Sequence, residues 1–304
     1  MYINTRRKNF WLILGFVIFW NSGFIGAEFG LPYAGPFTLL FWRYLALSLL
    51  LAFYLFLKRD LRWIGWRYAR SFMLVGVLAH GVWLTSVLIS IDYGVPAGIV
   101  ALVVALQPLA TGALSGSVVG EPTPLTRWIG LIVGFVGVAI PVVTRVDFSN
   151  AEDIIAWFIP LLAVVAITIA SLIERKIDVK KDYPRIPIDL SLFYQSIATA
   201  TVIAIPALFW EELATQWNGV FISAMIWLIL GVSLGAYAIM WLLVERLDAT
   251  RVASLFYLGP PVTMLMAWIA FGDRVAMVDI VGLLVVFAGV IIAYLKPHSS
   301  IQNN

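Results

Sequence analysis

The sequence predicts an all-α membrane protein, with ten transmembrane helices arranged as two inverted five-helix repeats. Three observations predict it. First, the 304 residues are 62% hydrophobic and 12% charged, with a mean hydropathy of +0.96. A soluble domain averages about 45–50% apolar and about 25% charged. So much apolar surface exceeds what the polar residues can cover, which excludes a water-soluble globule and a disordered chain. Second, the apolar residues fall in ten continuous runs. Each is near the roughly 20 residues that carry a helix across about 30 Å of hydrocarbon. Third, the second half of the chain repeats the first at a spacing of 152 residues.

The first run, Phe10–Glu28, follows Arg6, Arg7 and Lys8 and holds an amide, Asn21, at mid-span. This start also resembles a secretory signal, with Gly26-Ala27 as a small-residue pair. It is expected to be retained, because it is as long as the other runs and the repeat requires it. The second run, Pro36–Leu57, opens on a proline, which suits a helix start, and contains Arg43. The third, Ala69–Ile91, carries His80 with Trp83 one turn later. The fourth, Pro96–Val118, is interrupted by Gln107-Pro108, since proline lacks the N–H that a helix interior uses. The fifth, Leu125–Val143, is rich in glycine and nearly free of polar side chains.

The sixth run, Ile154–Ile173, is almost wholly apolar, and the seventh, Ile188–Trp210, has Gln195 at the position that matches Arg43. The eighth, Val220–Val244, carries Tyr237 and Trp241. The ninth, Ala249–Phe271, contains Tyr257 and breaks at Gly259-Pro260-Pro261, and the tenth is Ala276–Leu295. Spanning strands would alternate apolar and polar over about ten residues. These runs are continuous and twice as long, so they are helices. The connections are too short to hold a soluble domain, and the repeat divides one membrane domain into residues 1–147 and 148–304.

Lysine and arginine set the orientation, because cytoplasmic loops carry them in excess. With the N-terminus cytoplasmic, 17 of the 20 fall on the cytoplasmic side. Only Arg145 and Arg274 lie outside, and Arg43 is within a span. An even number of spans, with both termini inside, follows. A pI near 9.1 is then a topology signal and implies no nucleic-acid partner. The chain has no cysteine and two histidines, His80 and His298, so no thiol chemistry and no metal centre is expected.

In the repeat, Ile129–Ile140 and Val281–Ile292 are identical at seven of twelve positions, including Gly130/Gly282, Phe135/Phe287 and Gly137/Gly289. Five helices per half is an odd number, so the second half enters the membrane from the opposite side. Inverted repeats recur in secondary transporters, with the site near the midplane between the halves, and so point to alternating access.

Several motifs occur in a characteristic order: Trp20-Asn21-Ser22-Gly23, Pro36…Arg43, Gly120-Glu121, and Gly130…Gly134…Gly137, answered by Pro260…Gly272-Asp273…Gly282…Gly289. In this the chain resembles the EamA-type permeases of the drug/metabolite transporter superfamily along nearly its whole length. Asp273 in place of glutamate, and Gln195 opposite Arg43, depart from that pattern. The resemblance implies a bacterial-type inner-membrane exporter of amino acids or other small metabolites.

The candidate substrate-binding residues are Asn21, Arg43, His80, Trp83, Gln107, Tyr237, Trp241 and Tyr257, polar or amphipathic groups that need partners in hydrocarbon. Arg43 reads either as a clamp for a substrate carboxylate or as a structural arginine bonded to backbone. His80 reads as a packed core group, a substrate contact or a carrier of a coupling proton. Pro108, Gly259, Pro260 and Pro261 are candidate hinges beside a cavity. The cavity is expected between helices one, three, four, six, eight and nine, with helices five and ten as packing struts. Gly112, Gly116 and Gly120 have the spacing of close helix packing, and Glu121 and Asp273 are expected to cap helix starts.

No nucleotide-binding loop, metalloprotease motif or hydrolase constellation occurs, so no cofactor is expected. Transport would be coupled to protons or to the substrate gradient. The competing classes are an intramembrane enzyme modifying lipids or metabolites, and a scaffold that transports nothing.

The orientation is directly testable. In a chain without native cysteine, a cysteine at Asn150 should react with an impermeant thiol reagent in intact cells, and one at Asn4 should react only after lysis. The reverse pattern would invert the topology.

Overall fold

The computed structural model describes residues 2–119, 124–179, 186–246 and 255–294, and these are helical apart from short connections. The helices are α1 (Tyr2–Gly30), α2 (Pro36–Leu57), α3 (Trp66–Gly76), α4 (Trp83–Asp92), α5 (Ala97–Val104), α6 (Gln107–Val119), α7 (Leu125–Val143), α8 (Ala151–Val179), α9 (Ile188–Phe209), α10 (Gly219–Ile226), α11 (Tyr237–Arg246), α12 (Gly259–Phe271) and α13 (Met277–Tyr294). A π-helical segment, Val77–Val82, joins α3 to α4, and a second, Trp227–Ala236, joins α10 to α11. Eight helical stretches are long and apolar enough to cross a membrane. Two shorter apolar helices, Phe256–Phe271 and Met277–Ala293, complete the described part. The ninth expected run begins in residues 247–254, outside the described residues, as do Gly120 and Glu121.

Helix bounds recur at the spacing seen in the sequence. α2 and α9 begin and end 152 residues apart, and α6 with α12, and α7 with α13, begin 152 apart. The prolines explain one of these pairs. α5 ends at Val104 and α6 begins at Gln107, so Pro108 falls in the first turn of a helix, where no N–H is needed. Pro260 and Pro261 open α12 in the same way, after a 3₁₀ turn at Phe256–Leu258. These prolines therefore start second half-helices instead of kinking continuous ones.

α7 and α13 pack antiparallel, backbone against backbone. A Cβ on Gly130 would lie 2.5 Å from the Gly289 carbonyl oxygen, and one on Gly137 would lie 2.8 Å from that of Gly282. Only glycine lets two backbones approach so closely. The expectation for Gly112 is corrected: a Cβ there meets nothing within 4 Å, and its carbonyl instead accepts a bond of 3.2 Å from Arg127 Nη1. Close packing through glycine is found instead in α7 and α13, where the paired glycines are seven residues apart.

Side chains from one half tie down loops of the other. Glu211 accepts from the Phe37 and Thr38 amides at 3.2 and 2.6 Å and so caps α2, whose first N–H groups have no helical acceptor. Trp42 Nε1 donates to Thr215 Oγ1 at 3.0 Å. Tyr194, which matches Trp42 in the repeat, donates to the Arg62 carbonyl at 2.8 Å and accepts from the Ile64 amide at 3.2 Å. Arg145, one of the two cations on the acidic side, pairs with buried Asp279 at 2.6 Å. Asp279 also accepts from the Ala276 amide at 2.8 Å, so it caps α13, the role expected of Asp273.

Two glycine substitutions test this packing. Gly137→Trp should reduce the yield of folded protein and destabilise it by about 3 kcal/mol or more, since backbone atoms cannot yield to the side chain. Gly112→Ala, in open space, should be neutral or stabilising by roughly 0.4–1 kcal/mol. Thermal unfolding in detergent measures both.

Candidate functional site

An open cavity lies among α1, α2, the α3–α4 span and the α10–α11 span. Arg43 and Tyr44 come from α2, His80 from the first π segment, Trp83, Leu84, Val87 and Leu88 from α4, and Val232 and Tyr237 from the α10–α11 span. Trp20, Gly23, Phe24 and Ala27 of α1 close it. No carboxylate lines it among the described residues. α5 to α9, α12 and α13 contribute none of these residues. The expected cavity is therefore narrower than the sequence implied, and α2 joins its wall.

Two contacts cross the cavity wall from one half of the chain to the other. Arg43, only 5% exposed, donates from Nε and Nη2 to Ser233 Oγ at 3.1 and 2.9 Å. His80 Nε2 lies 2.9 Å from Gln195 Oε1. The Gln195 amide nitrogen donates to Ser191 Oγ at 3.1 Å and towards Glu174 Oε1 at 3.5 Å. A carboxylate only accepts, so this fixes the amide, and an amide oxygen also only accepts, so His80 carries its proton on Nε2.

The two contacts are related. Gln195 stands 152 residues after Arg43, and their partners Ser233 and His80 are 153 apart. Each contact pins a π-helical segment, a rare helical form that is frequent at functional sites. Gly76 allows the His80 contact, because a Cβ there would overlap the backbone of Gln195. Aromatic rings complete the wall. Tyr44 lies 5.3 Å from His80 between centroids, tilted at 30°, and Tyr237 lies 6.1 Å from His80 and 5.4 Å from Trp20.

Of the sequence candidates, Arg43, His80, Trp83 and Tyr237 thus share one cavity. Asn21 is buried elsewhere. Its Nδ2 donates to the Val17 carbonyl at 2.7 Å, and its Oδ1 accepts from Thr263 Oγ1 at 3.3 Å, which ties α1 to the start of α12. A Cβ on Gly259 would come 3.0 Å from that oxygen, so the glycine makes room for the amide. Gln107 donates to Thr111 and Ser171 at 3.4 and 3.3 Å and joins α6 to α8. Tyr257 is buried in the 3₁₀ turn before α12. Trp241 lies in α11, and its side chain is outside what the structure describes. Sequence reasoning missed Tyr44 and Ser233. Ser233 sits one residue beyond the repeat match of His80, and that offset is the signal that could have found it.

A family model described as the EamA-like transporter family matches this chain twice, over residues 7–143 and 154–295. The chain belongs to the EamA-like transporter family. Two similar proteins are themselves described as uncharacterized transporters. YvbV of Bacillus subtilis (strain 168) is 25% identical over 210 residues, spanning 68% of this chain and 66% of YvbV. A protein of Archaeoglobus fulgidus is 24% identical over 287 residues, spanning 93% and 96%. A protein of known crystal structure has a TM-score of 0.63 at 17% identity, covering 95% of this chain and 96% of that one, a likeness of fold alone. This EamA-family chain is thus a multi-pass membrane protein of a transporter family.

The placement of the polar groups separates two sets of variants. Asn21→Ala and Gln107→Ala should lower the melting temperature, each losing bonds worth about 0.5–1.5 kcal/mol, without changing which solutes move. Trp83→Ala and Tyr237→Ala should change solute preference at normal expression. Solute competition in proteoliposomes, beside thermal unfolding, reads both effects.

Proposed function

We propose that this EamA-family chain is a secondary-active exporter of amino acids or other small metabolites, working by alternating access between two inverted five-helix halves. The observation that carries the reading is the pair of matched contacts, Arg43 with Ser233 and His80 with Gln195, that join residues 1–147 to residues 148–304 at the wall of one cavity. A site built from both halves changes its exposure when one half rocks against the other. The recurrence of helix bounds and the double match of one family model support two related halves. The lysine and arginine distribution supports cytoplasmic termini in a bacterial-type inner membrane.

The cavity favours a small amphipathic cargo, with one cation and several aromatic ring faces beside an apolar wall of leucine and valine. Small-molecule sites are commonly of this composition. Coupling is by proton exchange or by the cargo gradient, and His80 is the mid-span group suited to the former.

Counterflow in proteoliposomes, screened with amino acids, nucleosides and sugars, is the test. Exchange of an amphipathic solute that depends on the protein is expected, and His80→Gln should abolish pH-driven uptake while counterflow persists. If no solute exchanges, or if a product forms without movement, the transporter reading is lost. If pH-driven uptake survives in His80→Gln, the proton role of His80 is lost alone.

A further inference from the structure

The bonding around Arg43 is incomplete, and it says more about the cargo than its size. A guanidinium has five N–H donors in a planar fork. Arg43 directs its Nε donor and one Nη2 donor to the single oxygen of Ser233. Among the described residues, no carboxylate pairs with Arg43 and no other acceptor is bonded to its remaining donors. The side chain is nonetheless buried and lines the cavity. The cavity therefore presents spare donors on a fixed positive charge, a setting that a carboxylate satisfies with two parallel bonds to an arginine edge.

The opposite charge is not provided for. An ammonium needs acceptors, and burying one without them is costly. No aspartate or glutamate lines the cavity among the described residues. Glu174, the carboxylate joined to this network, stands behind Gln195 and receives the Gln195 amide. An ammonium would also sit close to the Arg43 charge. The rest of the wall is apolar or aromatic: Leu84, Val87, Leu88 and Val232 with Trp20 and Phe24.

We propose that the site reads its cargo as an anion: an amphipathic monocarboxylate without a free ammonium, its carboxylate on the open edge of Arg43 and its tail on the apolar wall. The assignment rests on the transporter reading above and narrows its substrate class. It ranks an organic acid above the amino acid of the same skeleton.

Four probes that share a phenyl tail separate the possibilities: 3-phenylpropionate, phenylalanine, phenethylamine and 3-phenylpropanol. Binding to the full chain in lipid nanodiscs is read by intrinsic tryptophan fluorescence and by calorimetry. The acid should bind at least about tenfold more tightly than each of the other three. Arg43→Gln should bring the acid to the affinity of the alcohol. Arg43→Lys, which keeps the charge and loses the fork, covers the case in which Arg43→Gln fails to fold, and it should weaken the acid about tenfold.

The assignment is overturned if phenylalanine or phenethylamine binds as tightly as the acid. It is overturned equally if the preference for acid survives in Arg43→Gln, if Arg43→Lys binds the acid as tightly as the unaltered chain, or if the acid does not bind at millimolar concentration. Counterflow on the same preparation keeps the two readings apart. Solute exchange without acid binding removes the carboxylate site and leaves transport standing, whereas acid binding without exchange of any solute does the opposite.

Discussion

A guanidinium cannot rest in hydrocarbon without partners. Even on an insertion scale its cost at mid-membrane is about 2.5–3.5 kcal/mol. Arg43, seven residues into α2, imposes that constraint on everything near it. It is met in part by Ser233, on a helix almost two hundred residues away in the chain. Reaching that serine requires the α10–α11 span to lie against α2, and the serine itself stands in a π-helical segment. The repeat-related residue, Gln195, faces the same problem in milder form, being neutral, and meets it with His80, again in a π-helical segment. One geometric solution is used twice, but with different chemistry. The first copy leaves a charge with spare donors, and the second closes into a chain of amide, hydroxyl and carboxylate groups.

Around these two contacts the packing divides into rigid and adjustable parts. α7 and α13 touch backbone to backbone through four glycines, and there even one methyl group has no space. Such contacts have a single arrangement, as close-packed interiors do. Two other spans are interrupted. α5 and α6, and the 3₁₀ turn and α12, are split at repeat-related positions, and Asn21 bonds to Thr263 beside the second split. Backbone freed at such breaks must be satisfied by neighbouring protein or by cavity water. The loops at the helix ends are held by single side chains, Glu211, Trp42 and Tyr194. These polar ties are few, directional and exchangeable. The EamA-like transporter family thus combines, in this chain, a glycine-packed strut with a cavity whose walls meet through a handful of hydrogen bonds.

The membrane class, the ten apolar runs and the 152-residue repeat were legible in the sequence, and so were the positions of both helix breaks. Arg43, His80, Trp83 and Tyr237 were legible as candidates, because a polar group in an apolar run is conspicuous. Asn21 and Gln107 were conspicuous for the same reason, yet their side chains serve helix contacts, and sequence alone does not distinguish the two fates. Tyr44 and Ser233 were inconspicuous as residue types, since tyrosine and serine are ordinary in membrane helices, although the repeat brings Ser233 within one residue of the match of His80. The π-helical segments left no sequence signature that was recognised.

What the sequence determined by itself follows from local and additive physics. Hydropathy is a sum over twenty neighbouring residues, charge bias is a count over loops, and a repeat is a comparison of the chain with itself. What only the tertiary structure decided is who faces whom: that Arg43 meets Ser233, that His80 meets Gln195, that Asn21 turns to α12, and that the cavity forms on α2 and not on α5 or α12. A single helix presents residues in every direction, and lipid is as apolar as the interior. In a chain so uniformly hydrophobic the side that faces a partner carries little compositional mark, and only the packed arrangement selects it.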